Sequence, residues 1–340
     1  MTPNDSSRYR NDLPEIERLI AGLRLPASAV LQLYELAQHP PLDDVRLPDD
    51  AESAELLDRL GLAAADRAEL VTARPDPQAT PELWWLLERC VTLLRERQGS
   101  VAPLSPWPDL PDELGAVGRY LYVWVMLTAA ADARAFHRSR GIPDDHSWAA
   151  LGVLAGQLGN RRALHGQGGL HTQNWVTHHF RGAIYVLGRL HFERTMITFD
   201  PGSAVAAPGI GAPALGVHIP EGRLTPESCD DALDRAGRFF AEHFPDEPYR
   251  YATCSSWVLD PQLKEYLDPD SNIIRFQERF TLSPDTGPDS NSTVIEFIFK
   301  RPLAELDQIP RQTSLERGIV DHIRSGRAWH FRTGWFEFPP

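Results

Sequence analysis

The period of hydrophobicity changes once along this 340-residue chain, and that change limits the possible folds more than any other feature. Before residue 165, apolar side chains recur every three or four positions, the spacing of a helix face buried against a core. Residues 81–98 show it best. Leu83, Leu86, Leu87, Cys90, Leu93 and Leu94 form one stripe, Thr80 and Pro81 supply start signals, and Gly99 supplies a stop. Residues 13–23, 28–36, 51–60, 113–138 and 144–164 read the same way, separated by proline-rich joints. His165-Gly166-Gln167-Gly168-Gly169 cannot continue a helix, and β-type patterning dominates after it. The boundary is expected between 155 and 170. An all-helical domain over 1–160 is followed by an α+β domain over 161–340, with a mostly antiparallel sheet and flanking helices.

Within the second domain, residues 182–197 read as one alternating strand. Ile184, Val186, Leu190 and Phe192 point to one face, and Tyr185, Leu187, Arg189, His191 and Glu193 to the other. A cleft wall and a solvated outer face both fit that pattern. Trp175 lies on the strand expected before it. Residues 214–220 form the next strand, with Leu215, Val217 and Ile219 on one face and His218 on the opposite one. Pro220 stops it, Glu221-Gly222-Arg223-Leu224 turns the chain, and Thr225-Pro226-Glu227 opens a helix that buries Leu233, Ala236, Phe239 and Phe240. Residues 249–259 are a further strand and 262–267 a helical turn. Residues 272–282 and 292–300 read as two antiparallel strands around a polar loop at 283–291. A short helix over 316–324 and a terminal aromatic strand over 328–338 complete the domain.

Charge and composition remove several classes of function. With 34 basic and 47 acidic residues the net charge is -13, which repels phosphate backbones, and no basic run compensates. Three widely spaced cysteines, Cys90, Cys229 and Cys254, make neither a disulfide framework nor a metal motif and read as packing thiols. His165, His171, His178, His179 and His191 invite a metal reading. Their spacing fits neither a helical pair nor a zinc pattern, and His178 and His179 would face opposite ways on a strand, so no metal is expected. Residues 1–12 are polar and no stretch approaches the ~20 apolar residues of a membrane span, so a cytoplasmic protein without a membrane partner is expected.

Chemistry concentrates at the strand–turn–helix around 215–226. Unpaired backbone N–H groups and the helix dipole converge at such a turn, which suits an anion. Beside it His218 carries an imidazole suited to general-base work near neutrality. A packed or surface histidine is equally consistent with the residues alone.

Three phrases together carry a resemblance: Gly-Ala-Ile-Tyr-Val-Leu-Gly-Arg-Leu-His-Phe-Glu at 182–193, Leu-Gly-Val-His-Ile-Pro at 215–220 and Cys-Ser-Ser-Trp-Val-Leu-Asp-Pro-Gln-Leu at 254–263. They resemble bacterial acyltransferases with a helical N-terminal domain and a GNAT-like C-terminal domain, among them the long-chain N-acyltransferases that lipidate glycopeptide antibiotics. The resemblance covers most of the chain and is strongest over 143–340. It implies an acyl-CoA donor as co-substrate, or an acyl-carrier protein, and a small-molecule or glycopeptide amine as acceptor. It implies catalytic roles for His218 as base, Tyr185 as an orienting group and Tyr266 as the proton source for the leaving thiolate. Val217, Ile219, Gly222, Arg223, Thr225, Ser256 and Trp257 would hold the donor, and Trp175, Arg189 and Glu193 would meet the substrate. One departure stands out. The Gln/Arg-x-x-Gly-x-Gly/Ala loop that holds the pyrophosphate in ordinary GNAT proteins is replaced by His-Ile-Pro-Glu-Gly-Arg-Leu-Thr at 218–225. A binder of acyl-CoA or a docking protein that keeps this fold without turnover is the rival reading.

Overall fold

A computed structural model describes residues 5–204 and 206–338, with the side chains described from residue 14 onward. The chain divides into two compact units between Ala183 and Ile184. The first holds helices α1 (Asp5–Gly22), α2 (Val30–Ala37), α3 (Asp50–Leu60), α4 (Ala64–Thr72), α5 (Pro81–Glu96), α6 (Gly115–Ser139), α7 (Asp144–His165) and α8 (Gln173–Phe180).

Helix α6 is the spine of this unit. By length and composition 112–139 could cross a membrane, yet 67% of its most apolar window is buried by the surrounding protein, the burial of a core helix. The stripe read from sequence on α5 is buried against it, Cys90 included. Two polar groups buried in the unit are paired, as burial requires. The Trp124 indole donates to the Ala73 carbonyl at 3.2 Å, and the Tyr122 hydroxyl to that of Pro108 at 2.6 Å. Asp66, only 2% exposed, accepts from Tyr120 at 3.0 Å and from Arg162 at 2.7 Å.

The boundary falls later than expected from sequence because residues 173–180 are helical. Thr172 and Gln173 restart a helix after the glycine-rich break, and Val176 and Phe180 of α8 bury into the helical core. Trp175 therefore lies on a helix of the first unit rather than on a strand. Its ring stacks on His178 at 6.0 Å and meets His179 edge-on at 5.4 Å, both from the same helix.

The second unit is a six-stranded sheet in the order β1-β2-β3-β4-β6-β5, from β1 (Ile184–Leu187), β2 (Leu190–Met196), β3 (Pro213–His218), β4 (Tyr251–Ser256), β5 (Thr281–Asp289) and β6 (His330–Glu337). All neighbours are antiparallel except β3 and β4, which the crossover helix α9 (Pro226–His243) joins in parallel. The start of α9 is as the sequence prescribes. Thr225 caps it, its hydroxyl accepting from the Ser228 N–H at 3.2 Å, and Pro226 takes the first position, where no backbone donor is needed. Phe239 and Phe240 of α9, with Phe244, pack under the sheet.

Two sequence readings are overturned here. Residues 182–197 are a hairpin, turning at Gly188 and Arg189 with Leu187 paired to Leu190. Gly188 has φ +75°, the conformation a two-residue hairpin turn favours at its first central position. A tight turn preserves the sequence alternation but exchanges the faces, so Tyr185 lies opposite Phe192 and Val217, and His191 opposite His218. The second correction concerns 272–300. Residues 272–277 form helix α10 (Asn272–Gln277), the expected loop is the edge strand β5, and the expected second strand is helix α11 (Asn291–Phe299). Pro284 and Pro288 are tolerated in β5 because it is the outermost strand and its ladder to β6 is irregular. Val294, Ile295, Phe297 and Ile298 have the spacing of a helical face, and Val294 and Ile295 are fully buried. Helix α12 (Ser314–Arg324) precedes β6, close to the span read from sequence.

Candidate active site

The register of β1, β2 and β3 determines which side chains meet. Val186, His191 and His218 lie in one row across the sheet, and Ile184, Glu193 and Gly216 in the next. The Glu193 carboxylate consequently reaches the His218 ring, with Oε2 2.9 Å from Nε2. Both are sheltered without being sealed, 16% and 31% exposed respectively. Gly216 makes room for the pair. A Cβ there would lie 3.3 Å from Glu193 Cβ and 3.5 Å from His218 Nε2. His191, beside them, has its pKa pushed down to about 4, first by burial and then by the nearby His218 and Arg189. It is neutral near pH 7 and adds no charge to the site. Sequence alternation placed His191 on the correct face and gave it no role.

The sheet opens next to this pair. β3 and β4 pair only at Leu215 with Ala252 and Gly216 with Thr253. Beyond that point β3 stays with β2 as far as His218, and β4 stays with β6 as far as Ser256. Backbone amides and carbonyls of 217–218 and 254–256 thus flank a parting between two parallel strands. Such an edge accepts an extended, amide-bearing arm as an added strand.

The backbone of the turn after β3 is gripped by the Arg189 side chain. Arg189, at the tip of the β1–β2 hairpin, donates from Nη2 to the carbonyls of Pro220 and Gly222, each at 2.7 Å, and from Nε to that of Arg223 at 2.9 Å. Three carbonyls on one guanidinium fork fix the loop more firmly than its own residues could. Gly222 has φ +122°, a conformation side chains resist. Arg189, Ile219, Gly222, Trp257, Val258 and Phe297 are among the residues lining a mostly apolar cavity of about 120 Å³ beside this turn.

The residues named from sequence therefore separate. His218, Glu193, Ile219, Gly222 and Trp257 gather where the sheet parts. Arg189 is there too, where it braces the loop. The Thr225 side chain caps α9, that of Ser256 accepts from the Val258 N–H at 3.1 Å, and that of Arg223 points to solvent. The Val217 side chain is buried on the opposite face, so only its backbone borders the opening. Tyr185 is not at the site. It is fully buried 4.8 Å from the Phe239 ring and 5.7 Å from that of Phe244, because the hairpin turn reverses its face. Tyr266 is placed in another cluster, with its hydroxyl 3.1 Å from His322 Nδ1 and its ring edge-on to Trp329. Trp175 belongs to the helical unit. Among the described residues, no group of three or more His, Cys, Asp or Glu side chains converges as a metal site.

Comparison with known proteins gives this geometry its context. Residues 51–182 match the N-acyltransferase N-terminal domain, and residues 184–336 match the GNAT-like C-terminal domain. A search of curated proteins returned no match. Among solved structures, an acyltransferase mutant in complex with octanoyl-CoA is 40% identical, with a TM-score of 0.85 over 95% of this chain and 99% of its own. An acyltransferase in complex with decanoyl-CoA and teicoplanin is 39% identical over the same shares, with a TM-score of 0.84. A third, in complex with CoA and 10C-teicoplanin, is 39% identical with a TM-score of 0.85. An N-terminal N-acyltransferase domain, a GNAT-like sheet that parts beside a Glu–His pair and near-complete coverage of these enzymes agree, and the chain belongs to this family of two-domain N-acyltransferases.

Proposed function

We propose that the protein transfers a medium-length acyl group from acyl-CoA to an amine of a glycopeptide-type acceptor, with His218 as general base and Glu193 as the residue that positions it. The observation that carries this reading is the parting of β3 from β4 directly beside the Glu193–His218 pair. A pantetheine arm laid into the opening as an extra strand would bring its thioester to the end of β3, where the imidazole is. The solved relatives that hold octanoyl-CoA, decanoyl-CoA and teicoplanin support CoA as carrier, a chain of that length and a glycopeptide acceptor.

The step itself is aminolysis of a thioester. The acceptor arrives as an ammonium, whose nitrogen becomes nucleophilic only when a proton leaves. With Glu193 ionised, the proton on the His218 ring is held at Nε2 by the carboxylate, and the lone pair is on Nδ1. Nδ1 accepts the ammonium proton as the nitrogen adds to the carbonyl carbon. Collapse of the tetrahedral adduct breaks the C–S bond, and the imidazolium gives its proton to the leaving thiolate to release CoA. The imidazole, neutral again, takes the second proton from the nitrogen and passes it to water, which leaves the neutral amide. Glu193 stabilises that imidazolium while it exists.

The decisive experiment follows free-thiol release from decanoyl-CoA with a glycopeptide amine present. His218→Ala is expected to lose more than ~100-fold in rate with the fold intact, the range of general-base catalysis. A loss of only a few-fold would reduce His218 to a packing residue. Acyl-CoA affinity without thiol release from the unaltered protein would identify a binder instead of an enzyme.

A further inference from the structure

The chain has 32 arginines and only two lysines, Lys264 and Lys300. Lys300 occupies an unusual position. It ends α11 in the left-handed conformation, φ +53°, where glycine or asparagine is the ordinary choice. From there its ammonium reaches the turn after β3 and pairs with Glu221, Nζ lying 3.0 Å from Oε2 and 5.2 Å from the centre of the Phe297 ring. Phe297 and Glu221 both line the apolar cavity at that turn. The pair is lopsided, since the lysine side chain is 23% exposed and the glutamate 66%.

We infer that Lys300 is the cation that binds the diphosphate of the CoA donor, and that Glu221 occupies it until the donor arrives. The inference rests on the acyl-CoA reading above and extends it to a residue outside the β3–turn–α9 unit. The loop at 218–225 lacks the glycine-rich sequence that supplies several backbone donors, and its own cation, Arg223, is exposed, so a partly sheltered charge beside the turn is the natural substitute. Arg189 is committed to three carbonyls of the turn. Lys300 reaches the same turn through Glu221 on a flexible stem, and a compact ammonium is a common phosphate ligand. An ion pair this exposed is worth little, so a diphosphate displaces the Glu221 carboxylate readily, and that carboxylate, already mostly in solvent, has water to receive it. Because Glu221 competes with the donor, the two partners of the salt bridge should have opposite effects on donor binding. A purely structural bridge would give effects of the same sign.

The test is calorimetric titration of the full-length protein with CoA, dephospho-CoA and pantetheine at low ionic strength. Lys300→Ala should weaken CoA and dephospho-CoA about 10-fold and leave pantetheine unchanged, since one charge-assisted contact is removed. Glu221→Gln should tighten CoA about 3-fold, and that gain should shrink at 0.5 M salt, on the order of a 4 Å Debye length. In the unaltered protein, CoA should slow reductive methylation of Lys300 and not of Lys264. Equal weakening of CoA and pantetheine by Lys300→Ala, weaker CoA binding in Glu221→Gln, or an effect lost with dephospho-CoA would each overturn the assignment. CoA binding that Lys300→Ala leaves unaltered would overturn it alone. No CoA binding by the unaltered protein would overturn the donor reading with it.

Discussion

Replacing Glu193 by glutamine tests the proposed mechanism most directly. The change is nearly isosteric and leaves a group able to hydrogen bond to His218 Nε2 across the observed 2.9 Å. It removes the negative charge, and it allows the amide to donate, which would place the ring proton on Nδ1 and the lone pair on the wrong nitrogen. A hydrogen bond to a charged partner contributes about 1.5–3 kcal/mol. Both side chains are less than a third exposed, so solvent weakens the interaction only partly. At ~1.4 kcal/mol per tenfold, the expected loss in kcat is about 10- to 100-fold. The assay is thiol release at saturating decanoyl-CoA and acceptor, with calorimetric CoA affinity as the control for the donor site. KM for the donor should stay within about twofold, because the carboxylate acts on the base and not on the thioester. The double variant with His218→Ala should be no slower than His218→Ala alone, since a positioning group has nothing left to position. Full activity in Glu193→Gln, or a penalty that adds to that of His218→Ala, would falsify the pairing.

Other expected outcomes follow from the same geometry. Tyr185→Phe should keep kcat within about threefold, whereas Tyr185→Ala should lower stability by roughly 3–5 kcal/mol in urea unfolding, as for a large aromatic removed from a core. Gly216→Ala should slow turnover several-fold with donor affinity retained, because the new Cβ would lie 3.3 Å from Glu193 Cβ and must displace that residue by a few tenths of an ångström. Arg189→Ala should raise the donor KM about 10-fold, and lysine should not rescue it, since three carbonyls need a planar fork. Stability should also fall in mild acid. Burial depresses the pKa of His137 and of His191 to about 4. The unfolded chain then binds more protons below pH ~6.5, so folding weakens as pH falls from there through about 4. Thermal scans across that window should show the slope, flattened in His137→Gln.

Much of this architecture is visible in the residues. The break at 165–169, the stripe on α5 and the Thr225-Pro226 start of α9 are local signals, and the structure keeps each one. His218 stands out in the sequence through its position at a strand end, also a local property. The misreadings share a different cause. The hairpin at Gly188 and Arg189 leaves alternation intact on both sides, so no count of apolar residues could show that Tyr185 lies on the face opposite His191 and Glu193. Residues 292–299 have strand-forming side chains, and what selects helix for them is the burial of Val294 and Ile295. Pro284 and Pro288 pointed away from a strand because edge position is a property of the whole sheet. Glu193 and Lys300 acquire meaning only through partners 25 and 79 positions distant, His218 and Glu221.

The reach of Arg189 has a consequence for engineering. The same short hairpin sets the register that brings Glu193 to His218 and carries the guanidinium that holds the loop at 220–223. Under the proposed mechanism, donor recognition and proton transfer are consequently not interchangeable modules. A loop grafted at 218–225 from another acyltransferase would arrive without the carbonyl arrangement that Arg189 grips, and a hairpin lengthened by one residue would lose the grip and the register together. Transplants that include 184–193 along with 213–225 keep both, and that segment pair is the smallest unit in which a change of donor preference can be expected to leave turnover intact.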